Sequence, residues 1–269
     1  MNKTTLNILS SSTLVFGSFG AVDSVPGSTR EKMIGERTYY RPIANEFGII
    51  YSDVLTFSYG MLKCNGTDFT DEEQRIIERW LTSPRQSRWL TVRDTEDPSY
   101  VTKYFGVFTN TEWSIGANGY ILCSFTFQTD SPYPWVHGSH SFNIYASDTT
   151  SNISFIVDSD DLDSTIYPVI TFSTYFDDTI RVTNKTDGNR SFKINISSAA
   201  PIIMDCRHNI LKNGTTGTII NYSVLGWDDV SNIYWPQLHA GTNEWSISGG
   251  DLTLTIEYDA PFKRVGGWM

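Results

Sequence analysis

Two histidines three residues apart, His137 and His140 in HGSH, are the first side chains in this 269-residue chain whose spacing could hold a metal. On a helix that spacing places two imidazoles on one face, as zinc sites require. Here the pair is flanked by Pro132, Pro134 and Gly138, which argue against a helix. It reads as two histidines on a stiff connector, and no metal is expected. The run DSDDLD, Asp158 to Asp163, resembles the start of a calcium loop. An EF-hand loop needs glycine at position six and glutamate at position twelve, where this chain has Asp163 and Val169. A solvated acidic loop is the expectation.

Acid–base chemistry fares no better. Glu112 and Asp130 could be named as a glycosidase pair, but nothing in their spacing selects them over other carboxylates. The motifs G-x-S-x-G, G-x-x-x-x-G-K-[ST] and H-E-x-x-H do not occur. Neither catalysis nor a cofactor is expected. Trp227, Trp235, Trp245 and Trp268 could stack on sugars, although aromatics of a β-sandwich more often fill cores or interfaces. N-x-[ST] sequons occur at Asn2, Asn65, Asn152, Asn184, Asn189, Asn195, Asn213 and Asn221, which a chain rich in Asn, Ser and Thr produces by chance.

The elements that would position these groups are mostly strands. Aromatic residues make up 14% of the chain and charged residues only 19%, a balance that favours β structure with polar loops. In VLTFSYGM, Leu55, Phe57, Tyr59 and Met61 alternate as on a half-buried strand. One helix follows. Thr70 and Glu73 form a T-x-x-E capping box, Asp71 to Glu73 suit the positive end of the helix dipole, and Ile76, Ile77, Trp80 and Leu81 form one stripe ended by Ser83-Pro84. WLTVRD (89–94) reads as a strand and DPSY (97–100) as a turn. YFGVFTNTEWSI (104–115) reads as a long strand with room for a bulge, GANG (116–119) as a hairpin connection, and YILCSFTFQT (120–129) as its partner.

SPYPWVHGSH (131–140) shifts in composition and is read as the connector between domains. Beyond it come short strand candidates: FNIYAS, ISFIVDS, PVITFSTYF, TIRVTN, RSFKINIS, PIIMDC, GTIINYSVL and EWSISGGDLTLTIEY. TDG (186–188) and SGGD (248–251) are taken as hairpin turns. Alternation of Leu252, Leu254, Ile256 and Tyr258 against Thr253, Thr255 and Glu257 points to an antiparallel sandwich.

The net charge of -10 disfavours nucleic-acid binding, while an acidic lining would also suit a conduit through which DNA slides. Cys64, Cys123 and Cys206 are far apart and odd in number, so neither a disulfide framework nor a zinc site is expected, and synthesis in a reducing cytoplasm is. No apolar run reaches 18 residues. The segment MNKTTLNILSSSTLVFGSFGAVDS has an interrupted apolar part and is not read as a secretion signal.

In this order and spacing, LTFSYGM, TDEEQRIIERWL, RWLTVRD, CSFTFQTDSPYPW and WPQLHAGTNEWSISGGDLTLTIEYDAPF resemble the distal tail proteins of long-tailed phages of Gram-positive bacteria. What the resemblance implies is a mainly β protein of two domains. Residues 1–135 would be a β-sheet belt domain with one short helix, forming a hexameric ring coaxial with the tail tube. Residues 136–269 would be a galectin-like β-sandwich pointing outward. The ring would join the tube protein to the tail-associated hub protein at the virion's tail tip, and can carry receptor-binding proteins. DNA would pass through it without sequence-specific contacts, and no membrane is involved. The galectin sugar motifs H-x-N-P-R and W-x-x-E are not met: His140-Ser141-Phe142-Asn143-Ile144 lacks the proline and arginine, and Ser248 stands where the glutamate would be. Aromatics on first-domain strands that could meet neighbouring copies are Tyr59, Trp89, Tyr104 and Trp113. The alternative reading is a secreted carbohydrate-binding sandwich module; a cryptic hydrolase is a third.

Overall fold

The computed structural model describes residues 14–17, 30–34, 46–51, 54–63, 67–93, 101–116, 119–145, 149–224 and 234–263. The chain divides into two compact units, the first running to Pro134 and the second spanning Trp135–Phe262.

The first unit contains strands β1 (Leu14–Gly17), β2 (Arg30–Ile34), β3 (Glu46–Tyr51) and β4 (Thr56–Lys63), helix α1 (Asp71–Thr82), and strands β5 (Arg88–Arg93), β6 (Val101–Ile115) and β7 (Ile121–Thr129). An antiparallel sheet runs β1-β4-β7-β6-β5, and β2 pairs with β3 separately. The expected alternation becomes a register: Phe57 lies opposite Phe127, Tyr59 opposite Phe125, and Met61 opposite Cys123. These pairs share one sheet face, because side chains two residues apart point the same way. One core patch gathers Met61, Phe69, Ile77, Leu81, Cys123 and Phe125, and a second gathers Leu55, Phe57, Tyr104 and Phe127. The expected bulge in β6 is present, as a register shift between Phe108 and Asn110. At the β6–β7 turn Gly119 donates its N–H to Gly116 O at 2.8 Å, with φ +81°, a conformation that favours glycine. The predicted turn 97–100 and positions 117 and 118 lie outside the described residues.

Helix α1 begins as its sequence dictates. Thr70 Oγ1 accepts from Glu73 N–H at 3.3 Å, and Glu73 Oε2 accepts from Thr70 N–H at 2.8 Å. Ile77 and Leu81 are buried against the sheet, whereas Trp80 stays 42% exposed. The apolar stripe is therefore wider than the face that the sheet covers.

The second unit holds β8 (Trp135–Ile144), β9 (Ser151–Val157), β10 (Val169–Ser173), β11 (Asp178–Asn184), β12 (Arg190–Ile196), β13 (Ile202–Asp205), β14 (Ile210–Asn213), β15 (Gly241–Ser248) and β16 (Leu252–Pro261). One sheet runs β8-β16-β10-β13-β14 and the other β12-β11-β15-β9. Their inner faces share one core, with Ile170, Phe172, Met204, Leu254 and Ile256 from the first sheet and Phe155, Ile180, Val182, Ile194, Trp245 and Ile247 from the second. This is the antiparallel sandwich that the sequence pattern implies.

Three local expectations are corrected. The segment 135–140 is strand rather than connector: β8 pairs with β16 from Trp135↔Pro261 to Ile144↔Leu252. Gly138 lies opposite Tyr258, and a Cβ there would run into the Tyr258 ring. The glycine marks a close approach within the sheet, not a break. Second, SGGD (248–251) is no hairpin turn, because β15 and β16 belong to different sheets. A crossing between sheets needs the same turn residues as a hairpin, so composition alone does not separate them. Third, the described residues of GTIINYSVL, 217–224, hold only an isolated bridge, Ile219 to Lys212, and a 3₁₀ turn at Tyr222–Val224; the strand is the preceding ILKN. TDG, by contrast, does join paired strands β11 and β12, with Gly188 and Asn189 at φ +62° and +58°.

Candidate assembly surface

The candidate catalytic and ligating groups do not converge. His137 and His140 sit three apart on a strand, so they face opposite sides of the sheet. His137 Nδ1 lies 3.2 Å from Asp259 Oδ1, its cross-strand partner. His140 Nε2 lies 3.0 Å from Ile156 O and 3.2 Å from Tyr258 Oη, among the rings of Phe142, Phe155 and Tyr258. In the acidic loop, Ser159 Oγ donates to Asp161 O at 3.1 Å, Asp161 Oδ1 accepts from Asp163 N–H at 3.4 Å, and Asp160 N–H bonds Pro261 O at 3.0 Å, which ties the loop to the end of β16. Asp130 N–H bonds Phe105 O on β6, and Glu112 stands further along the same strand. Seven strand residues span about 20 Å, well beyond the separation that glycosidase carboxylates use.

Trp245 is 0% exposed and packs edge-on against Phe155 at 5.7 Å, so it is core rather than a sugar platform. Trp235 is half-buried beside Tyr222. Trp227 and Trp268 lie outside the described residues, as do Cys64 and the sequons at Asn2 and Asn65. Cys123 and Cys206 are buried free thiols, and burial pushes the Cys123 thiol up to about 11. Neither is a reactive thiolate at neutral pH.

What remains is the aromatic face of the first unit. Helix α1 is held to it at three points. Lys63 Nζ bonds both Glu73 oxygens at 2.8 and 2.9 Å and Asp68 O at 3.1 Å, with Lys63 only 7% exposed. Trp113 Nε1 donates to Glu78 Oε1 at 2.9 Å, and its ring meets the Phe69 edge at 5.4 Å. Ile77 and Leu81 supply the buried contact. Through the Lys63 hydrogen bond first, and then the Thr70 N–H, the Glu73 carboxyl is held below its usual range.

The four aromatics singled out by sequence have different fates. Tyr104 is 1% exposed and wholly within the core. Tyr59 is half-buried, and its phenol is pushed up by burial and then by Tyr104. Trp113 is half-buried and pins the helix. Trp89 alone keeps substantial exposure, 42%, with its ring against Phe105 at 5.0 Å.

Between the end of α1 and strands β5 to β7 lies a groove of about 250 Å³, lined by residues that include Trp80, Leu81, Arg88, Gly106, Phe108 and Phe127. Sequence reasoning passed over it, although RWLTSPRQSRWLTVR (79–93) carries four arginines and no carboxylate in an acidic chain. The acidity itself is uneven. Residues 1–134 hold 12 Lys and Arg against 15 Asp and Glu, while residues 135–262 hold 6 against 15. A DNA conduit built from the first unit would therefore not draw on the bulk of the negative charge.

The described residues thus give an aromatic sheet with a helix pinned to it in the first unit and a closed sandwich in the second. The chain belongs to a family of phage tail proteins: the family model described as phage tail protein N-terminal domain matches residues 9–131, and that described as phage tail C-terminal domain matches 135–258. Its fold is that of the distal tail proteins, mainly β in both units. Among solved structures it is similar to the Dit protein of phage SPP1, described as a paradigm of the hub adsorption apparatus in phages infecting Gram-positive bacteria, with a TM-score of 0.57 at 14% identity over 92% of this chain and 94% of that one. It is also similar to a chain of the phage P2 baseplate in its activated conformation with Ca, with a TM-score of 0.55 at 10% identity over 95% of this chain and 93% of that one. Comparison with curated proteins returns no match.

Proposed function

We propose that this tail protein is the distal tail, or baseplate hub, component of a long-tailed phage, without enzymatic activity. Residues 1–135 form the belt of a hexameric ring, and residues 136–269 form a galectin-like sandwich mounted outside it. The ring joins the tail tube to the tail-associated tip protein and carries receptor-binding proteins. Supporting this reading above all is the similarity to SPP1 Dit along nearly the full length of both chains, with both phage tail domains in order. Physical chemistry supports it too. A ring contact is heterologous, so it joins one surface of a copy to a different surface of the next. Of Tyr59, Trp89, Tyr104 and Trp113, Trp89 supplies exposed area to that contact, and the other three build the sheet that presents it.

The test is localisation. Gold-labelled antibody against the purified chain, applied to virions of the phage that encodes it, should mark the tail tip at one point. Labelling along the tube, on the head, or not at all would contradict the proposal.

A further inference from the structure

The groove beside Gly106 has a definite chemistry. Trp80, Leu81, Leu90, Phe108 and Phe127 make it apolar, Arg88 is its one charged lining residue, and it contains no carboxylate. Arg85 and Arg88 are exposed and form no ion pair among the described residues. Trp80 leans over Phe108 at 6.4 Å with 42% of its surface open. An indole left partly bare beside unpaired guanidiniums complements a ligand that is aromatic in the middle and anionic at its edges.

We propose that this groove receives a segment of another polypeptide presenting an aromatic side chain flanked by Asp or Glu. Its volume of about 250 Å³ lies below the roughly 300–1,000 Å³ of pockets that enclose whole small molecules, so it suits an inserted side chain. A nucleic acid strand would need a basic track, and the chain carries a net charge of -10. The inference stands on the groove and does not require the ring. A protein that stays monomeric yet binds the probe fails the ring and keeps the groove; a hexamer that ignores the probe does the reverse.

The probe is acetyl-TYFDDT-amide, the sequence of Thr174–Thr179, whose Tyr175 and Phe176 are 89% and 72% exposed in this chain and which carries two adjacent aspartates. The full-length protein is labelled with 5-fluorotryptophan, and the Trp80 signal is assigned with Trp80→Phe. The peptide should shift that signal saturably. Arg88→Glu, or replacing both peptide aspartates by lysine, should each weaken binding at least about tenfold. Arg88→Gln, which leaves no new charge, should weaken it less, and the signals of Trp235 and Trp245, which do not line the groove, should stay in place in both variants. Oligothymidylate should leave Trp80 unmoved. An unresponsive Trp80 signal at millimolar peptide, equal binding of the lysine peptide, or a shift with oligothymidylate alone would overturn the proposal.

Discussion

The two units bury their aromatics by different means. The sandwich closes on itself: two sheets share one core, and its large tryptophan, Trp245, has no exposed surface. Among the described residues of the first unit, helix α1 packs on one sheet face with two small core patches, and two tryptophans, Trp80 on the helix and Trp89 on the opposite sheet face, stay 42% exposed. The sandwich leaves smaller aromatics open on its surface, Tyr175 and Phe176 among them, so the described difference lies in where each unit keeps its tryptophans. In the proposed ring the first unit would make the contacts between copies and the sandwich would be carried by it.

That contrast can be broken by mutation, read unit by unit with hydrogen exchange on the full chain. Trp245→Ala should cost the sandwich about 3–5 kcal/mol and leave exchange in α1 unchanged. A loss below about 1 kcal/mol would mean that the sandwich core is less tightly closed than its zero exposure implies. Lys63→Met should cost the first unit about 2 kcal/mol, because Glu73 loses the charge-assisted hydrogen bonds that Lys63 gives both its oxygens.

The same pair predicts acid sensitivity. Since the folded Glu73 carboxyl sits below its ordinary value near 4.3, its contribution is complete above that pH and is lost as pH falls through the folded value. Glu73→Gln should flatten this acid limb in the first unit only. Gly138→Ala, which pushes a methyl into the Tyr258 ring, should cost the sandwich about 2 kcal/mol and spare the first unit. Thr70→Ala should remove one half of the capping box and cost α1 about 1 kcal/mol.

Legibility in the sequence followed how local each signal was. The capping box at Thr70 and Glu73, the alternation of Leu55 to Met61, the bulge in β6 and the Thr186–Gly188 turn depend on neighbours within a few residues, and all appear as read. The misread features are those decided by distant partners. Gly138 looks like a breaker until Tyr258 is seen across from it, and Ser248 to Asp251 look like a hairpin until their strands are seen to join different sheets. Among the contact aromatics, residue type could not separate Tyr104, at 1% exposure, from Trp89, at 42%. Both are aromatics on paired strands, and their alternation places them on opposite faces. The groove was hidden for the same reason, because its walls come from four elements and only the arginine-rich run 79–93 was visible locally.

The claim beneath the whole account is that copies of this chain close into a ring, and the mass of the intact purified protein tests it most directly. Native mass spectrometry across a range of concentrations, with negative-stain images of the same sample, should give a six-copy species and six-fold annular particles. A single-copy mass at every concentration, with no annular particles, would contradict it.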